Sequence, residues 1–285
     1  MSHDLIRDVT VAVWVKVFDG IVLSTDSAGT VGLSNGSAQV YNNADKIFHL
    51  HRKIPVGAMT WGLGQIGPAS ISTMSKSLRN RLMGRDASRP EWSLSEDSYT
   101  VEQVAGLAAK MFCESMKQTG ETSWPGQLGY LIAGFSATCD QPEAWLLEFE
   151  GDVSVPPVPR LVAATDRWGY EAYAQPDAVD RLFRGYDQSL LAQLLQITPS
   201  AHHADMITLL NGHHRVPLTP AMPFPDAIAL AKFMVETTSG YTHFNLGPDT
   251  VGGPVEVAGI SLHEGFKWIK RKHYFSSELN QGEPQ

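Results

Sequence analysis

Four groupings of residues in this chain could carry chemistry. The first is a hydroxyl, a carboxylate and an ammonium, on Thr10, Asp26 and Lys46, each at the start or end of a strand-like segment. The second is Gly62-x-Gly64-x-x-Gly67, between a strand-like and a helical segment, where spaced glycines would admit a pyrophosphate to a helix N-terminus as in dinucleotide binding. Asp86, 19 residues beyond Gly67, is spaced for a ribose-binding acid. It lies in Arg81-Leu-Met-Gly-Arg-Asp-Ala-Ser-Arg-Pro90 and not at the end of a second strand, and another helix comes next. The third grouping is His202-His203 and His213-His214. Neither pair has the i, i+4 spacing of helical metal ligands or an adjoining Glu, and neighbouring side chains point apart, so these read as loop histidines and no metal is expected. The fourth is Cys113 and Cys139, which sit in no local signature of a thiol nucleophile and read as buried fillers.

The elements that must position the first grouping are clear. Val9 to Val17 is dense in β-branched and aromatic residues and reads as a buried strand. Asp19-Gly20 marks a tight turn into a second strand, Ile21 to Thr25, which ends on Asp26-Ser27. A Gly- and Asn-rich excursion from Gly29 to Asn43 leads to Asp45-Lys46 and the strand-like Ile47 to Leu50. Ile54 to Trp61 is the next strand, and Ile71, Met74, Leu78 and Leu82 recur at helical spacing. After a polar loop, Gly84 to Tyr99, the capping box Thr100-Val-Glu-Gln103 opens a second helix with Val104, Ala108 and Phe112 on its apolar face. Gln127 to Ala137 and Glu143 to Glu150 form a strand pair, and Arg160 to Ala164 a third strand. Pro176 opens one helix reaching Leu194, Thr198 to Phe224 reads as irregular, and a fourth helix runs from Pro225. Strands Val255 to Leu262 and Phe266 to Lys270 close the chain.

Strands in runs between pairs of helices suggest helices stacked outside sheets, not a doubly wound fold. With 285 residues, 43% apolar and 18% charged, the chain fits one domain over residues 1–285 with its core at about 9–270. The net charge of −8 and the lack of a basic stripe other than Lys267 to Lys272 argue against nucleic-acid binding, and no apolar run is long enough to cross a bilayer. Met1-Ser2-His3-Asp4 lacks the basic and apolar regions of a secretory signal, so the expected location is the cytoplasm.

The strand headed by Thr10, the Asp-Gly hairpin, Asp26-Ser27 and Asp45-Lys46, in this order and spacing, resemble the β-type subunits of the 20S proteasome. The stretch between Asp26 and Lys46 is about four residues longer than in that family, a loop-sized insertion. The resemblance implies an α+β fold, the four-layer αββα sandwich of N-terminal nucleophile hydrolases. It implies a threonine-type peptidase or amidohydrolase without a cofactor, acting on a peptide or protein from within a homo-oligomeric ring. Thr10 falls at the family's nucleophile, with its own α-amine as general base once residues 1–9, a short propeptide, are removed. Asp26 and Lys46 match the catalytic Asp and Lys, and Gly62, with Gly64 second, would offer an oxyanion-stabilising N–H.

Taken singly, Thr10 is a favoured strand residue, Asp26 a turn residue and Lys46 a solvated strand end. Two departures stand out. Val9 precedes Thr10 where processed subunits have Gly, and the family's supporting Gly-Ser-Gly cluster, Asp and Ser find only Gly169 and Asp177 as loose counterparts. A silent scaffold or binding subunit of the same fold is therefore the second reading, and a dinucleotide-dependent oxidoreductase a distant third. The tail, 275–285, is expected to fray.

Overall fold

β-branched and aromatic runs become strands, and segments of 3.6-residue apolar period become helices, in a mixed α+β architecture. The computed structural model describes residues 10–32, 38–245 and 251–272. The expected propeptide at 1–9, the expected strand residue Val9 and the expected frayed tail lie outside them. The first half contains β1 (Val11–Val17), β2 (Gly20–Thr25), β3 (Gly29–Gly32), β4 (Ala38–Tyr41), β5 (Ile47–His49), β6 (Val56–Gly62), β7 (Gln65–Ile66), β8 (Ala69–Ser70), α1 (Ile71–Leu82) and α2 (Val101–Gln118). The second half contains β9 (Leu128–Gly134), β10 (Glu143–Phe149), β11 (Arg160–Ala163), β12 (Gly169–Ala174), α3 (Asp177–Phe183), α4 (Gln188–Ile197), α5 (His203–Gly212), α6 (Phe224–His243), β13 (Glu256–Ser261) and β14 (Gly265–Lys270).

Two five-stranded antiparallel sheets form, ordered β12-β1-β2-β13-β14 and β11-β10-β9-β6-β5. Because side chains alternate along a strand, β1 serves two cores at once. Ala12 and Trp14 meet Met59, Trp61 and Leu131 of the second sheet, while Val11, Val13 and Val15 meet Ala231, Met234 and Val235 of α6. A third cluster joins α1 and α2 to the second sheet through Leu78, Phe112 and Tyr130. Among the described residues no helix is long and apolar enough to cross a membrane.

Several expectations change. The two residues linking β1 to β2 are Phe18-Asp19, since Gly20 already pairs with Val17. Gly20 is glycine because β13 passes close, where a Cβ would lie 2.4 Å from the Ile260 carbonyl oxygen. The single helix expected from Pro176 to Leu194 is two: Gly185, at φ +84°, breaks it, and Asp187 caps α4 by accepting from the Leu190 N–H. The stretch read as irregular contains α5. Strand β12 adds to the expected strands, with Tyr170, Ala172 and Ala174 alternating with Glu171 and Tyr173. As an edge strand it is only half-buried, which weakens the apolar signal. The loop before α2 is not merely polar covering, since a short 3₁₀ turn at Pro90–Trp92 buries Trp92.

The dinucleotide geometry does not form. β6 has antiparallel neighbours on both sides, and the β7–β8 hairpin, with Gly67 in its turn, separates Gly62 and Gly64 from α1, whose N-cap is Ser70. Asp86 instead pairs with Arg81 at 3.1 Å.

Candidate active site

Thr10 immediately precedes β1, Asp26 immediately follows β2, and Lys46 immediately precedes β5, so two sheets must pack before the three can meet. They do meet. Lys46 Nζ donates to Thr10 Oγ1 at 2.5 Å and to Asp26 Oδ1 at 2.8 Å. The three residues are 3%, 1% and 5% exposed, so the ion pair has little water to weaken it.

Asp26 is held as firmly as it holds. Its Oδ1 accepts from the Val11 N–H at 3.2 Å, and its Oδ2 from the N–H groups of Ala28 and Gly252 at 3.1 Å each. Both carboxylate oxygens are thus engaged by backbone donors as well as by Lys46. Burial pulls the Lys46 ammonium below the ordinary lysine range, and the charge and hydrogen bond of Asp26 oppose that pull. A lysine so placed has a charge sensitive to its neighbours and lies within proton-sharing distance of a hydroxyl.

The site opens into a cavity of about 1330 Å³ whose lining includes Thr10, Lys46, Gly62, Gly64 and Asp177. Gly62 ends β6 at φ +81°, and a Cβ there would lie 2.2 Å from the Gln127 carbonyl oxygen, so packing alone requires glycine. Ala174 lines the same cavity at φ +66°, a left-handed conformation that is rare for a residue with a Cβ. It pairs with Val11, which places this backbone outlier beside the start of β1. Arg181, also in the lining, is paired with the buried Asp187 and lies over the Tyr241 ring.

Of the looser counterparts, Asp177 reaches the cavity, whereas Gly169 pairs with Lys16 at the far end of β1 from Thr10 and is not part of the site. One histidine of each pair makes a side-chain hydrogen bond. His203 bonds the Thr198 carbonyl and His214 the Tyr170 hydroxyl, and among the described residues no three His, Cys, Asp or Glu side chains cluster as a metal site would need. Cys113 is buried on α2 and its thiol is pushed up by burial, while Cys139 is half-buried and not the buried filler expected. Two charged residues near Lys46 escaped the sequence reading, Glu256 and Lys272. A lone Glu inside Val255-Glu-Val-Ala-Gly-Ile260 was the available signal, since a charge on the inner face of a strand needs a buried partner.

A scan against protein-family models finds no match, and neither does a search of the curated proteins. Among solved structures the chain is similar to Anbu (ancestral beta-subunit) from Yersinia bercovieri, with a TM-score of 0.53 over 92% of this chain and 88% of that one. Sequence identity is 13%, so the likeness is one of fold. What the chain shares with that ancestral β-subunit is a proteasome-like fold.

Proposed function

We propose that this chain is a proteasome-like threonine-type hydrolase of peptide or amide bonds, built as a four-layer αββα sandwich, with Thr10 as nucleophile. The observation that supports this reading best is Lys46 Nζ bridging Thr10 Oγ1 and Asp26 Oδ1 at the edge of a substrate-sized cavity. While residues 1–9 remain attached, the Thr10 nitrogen is an amide without a usable lone pair. Once they are removed, the new α-amine, with an unperturbed pKa near 8, takes the hydroxyl proton as Oγ1 attacks the substrate carbonyl. The Lys46 charge lowers both the amine and the hydroxyl toward working pH. The tetrahedral oxyanion would form against a backbone N–H at the Gly62 turn. Collapse expels the amine, which leaves with the proton, and water then hydrolyses the ester to free Thr10.

The substrate is a peptide or protein, and the assembly a homo-oligomeric ring. A second reading, a silent scaffold of the same fold, draws on Val9: a β-branched residue before Thr10 hinders the strained turn that self-cleavage needs.

Intact-mass measurement with a hydroxyl-directed electrophile tests the two. Loss of residues 1–9 and one label on Thr10 is expected. A full-length mass with Thr10 unlabelled would refute the hydrolase and favour the scaffold.

A further inference from the structure

The charges behind Lys46 come from the far end of the chain. Glu256 opens β13, and strand alternation puts it on the face of Ala258 and Ile260, turned toward the second sheet, where it is 1% exposed. Its Oε2 accepts from the Lys46 backbone N–H at 3.4 Å and lies 3.6 Å from Lys272 Nζ. Lys272, just beyond β14, has a side chain 5% exposed, and its ammonium also donates to the Ala44 carbonyl. The backbone of Ala44-Asp45-Lys46 is thus gripped at both ends by one buried ion pair.

Burying two charges carries a desolvation penalty that an apolar pair of similar size would avoid. The ionic pair must therefore contribute something beyond packing. Signs alternate across the cluster, Asp26, Lys46, Glu256, Lys272, with Asp45 also in range. We propose that Glu256 and Lys272 form a positioning pair for Lys46, fixing the backbone that presents it and balancing the charge around its ammonium. The catalytic meaning of the pair rests on the hydrolase reading above; the positioning does not. Electrostatics point the same way: Glu256 favours the charged form of Lys46, and Lys272 opposes it.

Titrating Lys46 directly tests this, using the full chain with 13Cε-labelled lysine followed by NMR and the Lys46 signal assigned through Lys46→Arg. Glu256→Gln should move the Lys46 midpoint down, and Lys272→Met should move it up. The double variant should return it close to wild type, and Lys272→Arg should leave it in place. General loosening of the site would instead move both single variants the same way. That result, or an unmoved midpoint in every variant, overturns the proposal. Glu256→Gln is nearly isosteric and decides the matter by itself if Lys272→Met does not fold: a midpoint that stays or rises is fatal. The titration needs no turnover, so an unlabelled Thr10 would end the hydrolase reading and leave this one standing.

Discussion

The carboxylate of Asp26 accepts from the backbone N–H of Val11, the residue after Thr10, at 3.2 Å, with the same oxygen that Lys46 Nζ approaches at 2.8 Å. One oxygen thus anchors both the start of β1 and the ammonium that touches the Thr10 hydroxyl. Position and charge of the proposed nucleophile are therefore controlled from one point.

Removing that point should cost much of the stability. Asp26→Ala leaves a buried Lys46 unpaired and strips acceptors from Val11, Ala28 and Gly252, so unfolding in urea should show a loss of about 3–5 kcal/mol. Lys46→Met leaves Asp26 its three N–H donors, and its loss should stay near 1–3 kcal/mol. Equal losses in the two variants would show that Asp26 depends on Lys46 alone.

Thr10→Ala should abolish both removal of residues 1–9 and labelling, reducing turnover of a peptide substrate by about 1000-fold or more. Thr10→Ser keeps an Oγ and should retain measurable labelling. Intact mass and labelling rate read both, and undiminished turnover in Thr10→Ala would remove Thr10 from the chemistry.

The two glycines at the cavity should respond differently. Gly62→Ala meets both a left-handed φ and the Gln127 carbonyl, and should lose more than about 2 kcal/mol. Nothing lies within 4 Å of a Cβ at Gly64, so Gly64→Ala should melt close to wild type. A larger stability loss at Gly64 than at Gly62 would contradict the described backbone.

Acid should weaken the fold through His49. Its ring stacks on Phe266 at 4.4 Å, and burial, aided by the Arg79 charge, lowers its pKa from 6.5 to about 4. The unfolded chain therefore binds this proton near pH 6.5 and the native chain only near 4. The stabilisation is complete above pH 6.5 and lost as pH falls through that window. Asp180, raised by burial from 3.8 to about 6, acts with the opposite sign in overlapping territory, so the measurement is the difference between wild type and His49→Gln. That difference should narrow by about 2 kcal/mol between pH 7 and pH 4, allowing for partial exposure of the ring. A pH-independent difference would show that His49 titrates normally in the native state.

Local chemistry in the sequence sufficed for most of the elements around Thr10, because β-branched runs and a capping Thr act over a few residues, although the turn expected at Asp19-Gly20 forms one residue earlier, at Phe18-Asp19. Thr100 does cap α2, accepting from the Gln103 N–H at 3.0 Å, and β1, β2, β6 and β9 form close to where alternation and propensity put them. Thr10, Asp26 and Lys46 stood out through their likeness, in order and spacing, to the proteasome β-type pattern. Only tertiary structure decided that they touch, since 36 residues separate the hydroxyl from the ammonium and the two stand at strand ends in different sheets. It alone added Glu256 and Lys272, more than two hundred residues from Lys46, because a buried charge finds its partner through sheet packing and not through sequence spacing. It also split α3 from α4 and placed β12 against β1, where half-burial at a sheet edge and a left-handed Gly185 leave only faint traces in composition. Short-range propensity fixes elements, while the register of sheet on sheet fixes which distant side chains share a site.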